Sequence, residues 1–256
     1  MSLVIEDLSF SYGKQNILDH ISFRAEGGEL LAVLGPNGAG KTTLFKCILG
    51  LKKGYTGTVS VDGTDVRQFS NRELAHRIAS IPQIHPMSFQ YSVMDMVLMG
   101  TSHMISPVSV PGKEQERIAL EALDRLGISE LSARPYDQLS GGEQQLVFIA
   151  RALAQQAKIL IMDEPTASLD YGNRTHVLSL IRKLADEGYT ILMSTHDPQH
   201  ALWYGTKALA LSNGSVTAFG TPTEVLTEEL LSGLYGKEIR LFDTPSGPVA
   251  VPGKEA

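Results

Sequence analysis

The sequence predicts an α/β fold with a mostly parallel sheet, and three observations predict it. After residue 157 strand-like and helical patterns alternate: Ile159 to Met162, then a helix face of Val177, Leu178, Ile181, Leu184 and Ala185, then Thr190 to Ser194. Such alternation is the pattern of parallel strands joined by crossover helices. The run Leu30 to Leu34 is apolar throughout, as a strand buried on both faces must be. A glycine-rich loop leaves that run directly and opens the helical pattern Thr43 to Leu49.

The N-terminal part reads as added antiparallel strands. Leu3-Val4-Ile5 and Ile21-Ser22-Phe23 precede a Gly27-Gly28 turn, and Val59-Ser60-Val61 is followed by Asp62-Gly63 and Thr64-Asp65-Val66, the signal of a two-residue hairpin turn. Between about 70 and 157 the pattern becomes helical. Ala119, Ala122, Leu123 and Leu126 share one face, and Gly127 stands where a C-terminal cap belongs. Lys207 to Leu211, the turn Ser212-Asn213-Gly214 and Ser215 to Phe219 read as a closing hairpin. From Thr244 on, Pro245, Gly247, Pro248, Pro252 and Gly253 predict an extended tail. The expected organisation is one domain over 1–240, a helical subdomain at about 86–157, and a tail at 241–256, without internal repeats.

Composition narrows the function classes. The 256 residues can bury one large core, or a core with a small subdomain. Cys47 is the only cysteine, which excludes a disulfide framework within the chain and fits a reducing compartment. A net charge of −6 and a pI near 5.6 argue against a nucleic-acid partner, which selects for a basic stripe. Met1 leads straight into the alternating segment Leu3 to Phe10, without the pattern of a signal peptide. No run reaches the roughly 18 apolar residues of a spanning helix, so work at a membrane would require docking on a membrane protein.

Gly35-Pro36-Asn37-Gly38-Ala39-Gly40-Lys41-Thr42, followed by Thr43, fits G-x-x-x-x-G-K-[ST] between a strand and a helix. Glycines at these spacings let backbone N–H groups and the positive end of the helix converge on phosphate oxygens. Lys41 is expected to reach the β- and γ-phosphates, and Thr42 to ligate Mg²⁺. The strand Ile159 to Met162 delivers Asp163 and Glu164 to its C-terminal end, where open α/β sheets bind ligands. Asp163 is the candidate Mg²⁺ holder and Glu164 the candidate base that orients and deprotonates water. Ser140 and Glu143 form the S-x-x-E capping box of a helix whose buried face is Leu146, Ile149, Ala150 and Leu153.

Leu139-Ser140-Gly141-Gly142-Glu143, downstream of the phosphate loop and sixteen residues ahead of Ile159 to Glu164, resembles the signature and second Walker motif of ABC-type ATPases. The resemblance covers about residues 3 to 220. It implies a P-loop NTPase core with an N-terminal antiparallel β subdomain and an inserted helical subdomain. It implies ATP hydrolysis with ATP and Mg²⁺, and a head-to-tail homodimer in which Ser140, Gly141, Gly142 and Glu143 meet the ATP of the second copy. By the same resemblance Tyr12 stacks on adenine and Gln83 contacts Mg²⁺ and water. Asp170, in Ser168-Leu169-Asp170, belongs to the loop crossing the dimer interface, and His196 bonds the γ-phosphate. His196 with His200 would make a metal pair only across Pro198, without an evident third ligand. Gln144 stands where relatives often carry a basic residue.

Finer features resemble importer ATPases serving iron chelates, haem, cobalamin or molybdate: Arg72 to Ala75, Tyr91 to Gly100, and Gly220-Thr221-Pro222 with Val225 to Gly236. This implies integral membrane permease partners, an indirect substrate-binding protein, and a peripheral place on the cytoplasmic face of the inner membrane. Met87, Met94, Met96, Met99 and Met104 are expected to form a socket for a partner's helix, while Ser102 to Gly112 reads as a loop departing from relatives. A soluble ABC ATPase of iron–sulfur assembly, repair or translation is the rival. Repair forms insert long coiled coils and translation forms fuse two cassettes, whereas Gln83 and Ser140 are 57 positions apart and one motif set is present. A GTPase would require an Asn-Lys-x-Asp motif, which is absent.

Overall fold

The computed structural model describes residues 1–83, 90–106, 108–245 and 247–253. In chain order the elements are β1 (Leu3–Tyr12), β2 (Gln15–Ala25), β3 (Leu30–Leu34), α1 (Lys41–Ile48), β4 (Thr56–Val61), β5 (Thr64–Asp65), α2 (Asn71–Ala75), β6 (Ile78–Ile81), α3 (Val93–Leu98), α4 (Lys113–Arg125) and α5 (Gly141–Ala154). There follow β7 (Ile159–Met162), α6 (Tyr171–Asp186), β8 (Thr190–Thr195), α7 (Pro198–Tyr204), β9 (Lys207–Ser212), β10 (Ser215–Gly220), α8 (Pro222–Val225), α9 (Glu228–Tyr235), β11 (Ile239–Thr244) and β12 (Gly247–Pro252). The chain falls into two compact units, one of Met1–Gln68 with Ile181–Ala256 and one of Phe69–Leu180.

The first unit carries an antiparallel sheet in the order β2-β1-β4-β5. Asp62 and Gly63 both have positive φ, 48° and 80°, as the two-residue turn between β4 and β5 requires. The strand order β10-β9-β3-β8 makes a second sheet, in which β3 runs parallel to β8 and β9, and β10 returns antiparallel to β9. Every residue of β3 and β8 is buried, which is why both read as unbroken apolar or small-residue runs. One face of β3 meets a cluster of Ala201, Ala208, Leu226, Leu231 and Leu234.

The C-terminal residues correct the expectation of an extended tail at 241–256. β11 and β12 form an antiparallel hairpin in which Leu241 faces Ala250 and Phe242 faces Val249. Ile239, Leu241 and Ala250 pack on the cluster under β3. The Gln199 amide on α7 bonds β12 twice, donating to the Pro248 carbonyl at 2.9 Å and accepting from the Ala250 N–H at 3.1 Å. Trp203 Nε1 donates to the same Pro248 carbonyl at 3.1 Å.

In the second unit β6 and β7 are parallel neighbours, Ile81 beside Met162. The predicted face of α4 is buried at Ala119, Ala122 and Leu123, and Gly127 takes the left-handed conformation after the helix. α5 is buried nearly all round, Gln145, Val147, Phe148, Ala152 and Ala154 joining the four predicted positions. The stretch expected as a loop from Ser102 begins as a 3₁₀ turn, Met99–Met104. Met96 is fully buried, Met94 and Met104 are half-buried, and Met99 is exposed, so the methionines are not one surface stripe. Met87 lies outside the described residues.

Candidate functional site

In the first unit the phosphate-loop residues start where β3 ends. Gly35 is there because a Cβ would lie 2.3 Å from the Leu211 carbonyl oxygen, so no larger residue lets the loop leave the sheet at this angle. The loop is tied from outside by the β9–β10 turn, whose Gly214 N–H donates to the Ala39 carbonyl at 3.2 Å. Lys41 is buried, and its ammonium donates to the carbonyls of Gly35 at 2.7 Å and Pro36 at 3.2 Å. The cation is thereby folded over the loop rather than pointed away from it. α1 starts at Lys41 without a side-chain cap, which suits a helix start that takes an anion. Thr42 is exposed and Thr43 half-buried in its first turn; Asn37 and Gly38 are exposed and Ala39 buried.

The sheet also places His196. Leu34 and Thr195 are register partners on β3 and β8, so Gly35 and His196 leave the same edge side by side. Thr195 Oγ1 accepts from the Asp197 N–H at 3.1 Å and pairs with His200 Nδ1 at 2.9 Å. Asp197 caps α7 through the Gln199 N–H at 2.9 Å. His200 is buried in this turn, whereas His196 is exposed. The two imidazoles therefore serve different surroundings. A cavity of about 260 Å³ opens beside His196, with Tyr235, Ile239 and Val251 among its walls. Tyr12 ends β1 with its ring exposed, held edge-on by Phe10 at 4.9 Å between centroids and approached by Lys52 Nζ at 4.9 Å.

In the second unit the parallel pairing of β6 and β7 gathers the carboxylates and the glutamine. The Asp163 N–H donates to the Ile81 carbonyl at 3.0 Å, extending the ladder, and Gln83 follows two residues beyond Ile81. Asp163 and Glu164 are half-buried and Gln83 exposed. Glu164 has φ 45°, a left-handed backbone that costs a non-glycine residue about 1–3 kcal/mol and recurs at functional positions. Within this unit the oxygen donors Gln83 and Asp163 are of the chemistry that suits a hard divalent ion such as Mg²⁺. Among the described residues no group of three or more His, Cys, Asp and Glu converges as a metal cluster.

The same unit holds the helix start at Ser140. The Glu143 carboxylate accepts from the Ser140 N–H at 2.8 Å and from its hydroxyl at 2.7 Å, while the Ser140 hydroxyl accepts from the Glu143 N–H at 3.4 Å. These bonds hold the Glu143 carboxyl below the usual carboxylate range. Ser140 and Gly141 are exposed and Gly142 is buried. Asp170 caps α6, accepting from the Asn173 N–H at 2.9 Å and from its amide Nδ2 at 2.7 Å. Asn173 drew no attention in the sequence; an Asp followed three residues later by Asn was its only signal, and that signal says cap.

A parallel α/β sheet whose first interior strand opens a glycine loop with a buried lysine is the fold of a P-loop NTPase. The ABC transporter family profile matches residues 18–167, and the chain belongs to that family, whose members of this kind are ATP-binding, ATP-hydrolysing subunits. An uncharacterized ABC transporter ATP-binding protein of Haemophilus influenzae is 42% identical over 235 residues, 92% of this chain and 89% of that protein. The hemin import ATP-binding protein HmuV of Thermobifida fusca is 38% identical, with 93% and 83% covered. The molybdate import ATP-binding protein MolC of Haemophilus influenzae is 36% identical, with 91% and 88% covered. Among solved structures, a metal-chelate type ABC transporter in an inward-facing conformation superposes with a TM-score of 0.88 at 33% identity, with 99% of this chain and 97% of that one covered.

Proposed function

We propose that this protein is the ATP-hydrolysing subunit of a membrane importer, closing as a homodimer around two MgATP to drive uptake of a metal chelate, haem, cobalamin or oxyanion. The observation that carries the reading is likeness over more than nine-tenths of the chain to ATP-binding proteins named for hemin import, molybdate import and manganese transport. Its partners would be integral permease subunits, and indirectly a substrate-binding protein, with the chain held peripherally on the cytoplasmic face of the inner membrane. Among the described residues no helix is long and apolar enough to cross a membrane, so attachment rests on the permease. The net charge of −6 and pI near 5.6 argue against a nucleic-acid partner.

In this reading Tyr12 stacks on adenine, the loop Gly35 to Thr43 cradles the phosphates, and Lys41 balances their charge. Thr42, Gln83 and Asp163 would hold Mg²⁺, which when bound neutralises charge on the phosphate oxygens. Glu164 takes a proton from the attacking water, and His196 orients the terminal phosphate. Ser140 to Glu143 and Asp170 act on the nucleotide of the second copy. Two variants test the proposal. Glu164→Gln should keep ATP binding, lose roughly 10²- to 10⁴-fold in turnover, and shift toward dimer with MgATP in sedimentation. Ser140→Arg added to it should abolish the shift. Near-normal hydrolysis by Glu164→Gln, or a dimer indifferent to nucleotide and to Ser140→Arg, would refute the reading.

A further inference from the structure

Gly142 is the one buried residue of the Ser140–Glu143 stretch, and the three atoms nearest to a Cβ placed on it all belong to one side chain, Asn173. A Cβ built on Gly142 would lie 2.5 Å from Asn173 Oδ1 and 2.6 Å from Asn173 Cγ. The backbone of the helix start thus rests against the face of the Asn173 carboxamide. The other end of that carboxamide is engaged as well, because Nδ2 donates to Asp170 Oδ2 at 2.7 Å. The Asn173 N–H fixes Asp170 Oδ1 at 2.9 Å, so both carboxylate oxygens answer to one residue. Gly141 approaches the same loop, its would-be Cβ lying 3.6 Å from Leu169 Cδ2. Asn173 is exposed, so the core of the unit does not depend on it.

We propose that Asn173 is a positioning residue that locks the Asp170 loop to the glycines of the α5 start, making them one rigid surface offered to a second copy's nucleotide. A cap alone needs only the backbone N–H and the Asp170 carboxylate; the amide adds a second bond to Asp170 and a wall for Gly142, which a cap does not require. The bonds from Asn173 also hold the Asp170 carboxyl below the usual range. The proposal rests on the dimeric ATPase reading, in which Asp170 and Ser140 to Gly142 act across the interface.

The test is steady-state ATP hydrolysis by the purified full chain, with nucleotide affinity and thermal stability measured on the same samples. Asn173→Asp keeps the shape and the backbone cap but turns a carboxylate toward Asp170 in place of a donor. It should lower kcat roughly 10- to 100-fold, the scale of a small misplacement of a reacting surface, with ATP affinity and melting temperature near wild type. Gly142→Ala should melt earlier than wild type, because its methyl meets the carboxamide, and Gly142→Ala/Asn173→Ala, which removes the two nearest atoms and leaves the Asn173 Cβ at 3.2 Å, should recover part of the melting temperature without recovering kcat. Wild-type kcat in Asn173→Asp, beside an inactive Glu164→Gln control, overturns the coupling and leaves the ATPase reading intact. Parallel loss of stability, affinity and kcat in Asn173→Asp makes the residue merely structural and overturns it too. If Lys41→Ala and Glu164→Gln hydrolyse ATP like wild type, the ATPase reading falls first.

Discussion

Cys47 shows how far one residue's chemistry follows from its place. It sits on α1, the helix leaving the phosphate loop, with its side chain fully buried, and burial pushes its thiol up to about 11. The thiolate is the reactive form, so at pH 8 only about one thiol in a thousand can react. Native protein should therefore resist alkylation by iodoacetamide at pH 8 and label fully once unfolded; rapid native labelling read by mass spectrometry would contradict the burial. The same scale explains what sequence reveals about the site. Lys41, Asp163, Glu164 and Ser140 stand in patterns whose spacing carries their chemistry. The left-handed φ of Glu164 and the seat of Gly142 on Asn173 are invisible there, because they depend on chain brought near by folding, not on neighbours in sequence.

At the scale of elements, prolines mislead. Pro248 and Pro252 read as breakers, yet both lie in β12, whose only strand partner among the described residues is β11. An edge strand tolerates residues without an N–H. The hairpin is fastened to α7 by Gln199, an ordinary polar residue in sequence. Removing its amide deletes two hydrogen bonds to β12, so Gln199→Ala should cost about 1–3 kcal/mol in chemical denaturation. An unchanged midpoint would mean that Trp203 and the apolar contacts of Ile239 and Leu241 hold the hairpin unaided. Legible elements had strong local grammar: the Asp62-Gly63 turn, the Gly127 stop after α4, and the apolar runs of β3, β7 and β8. α5 read as amphipathic only because its first turn is polar; the rest is packed on every side.

For the molecule as a whole, an importer role demands a surface that a permease can grip without disturbing hydrolysis. Of the methionines expected to provide it, Met99 is exposed while Met96 lies in the core. Met99→Glu should thus leave ATP hydrolysis in solution near normal and abolish recovery with membranes and uptake; full uptake by that variant would place the grip elsewhere. Large-scale order carries one more consequence, through β3. Its strand partners are β8 and β9, which a ribosome delivers roughly 160 residues later, on the order of 10–30 s at ordinary rates of synthesis. During that interval five consecutive apolar side chains have no sheet to enter, while the second unit is continuous in sequence and able to close first. The nascent phosphate loop is therefore born attached to an apolar run whose strand partners are still to be made.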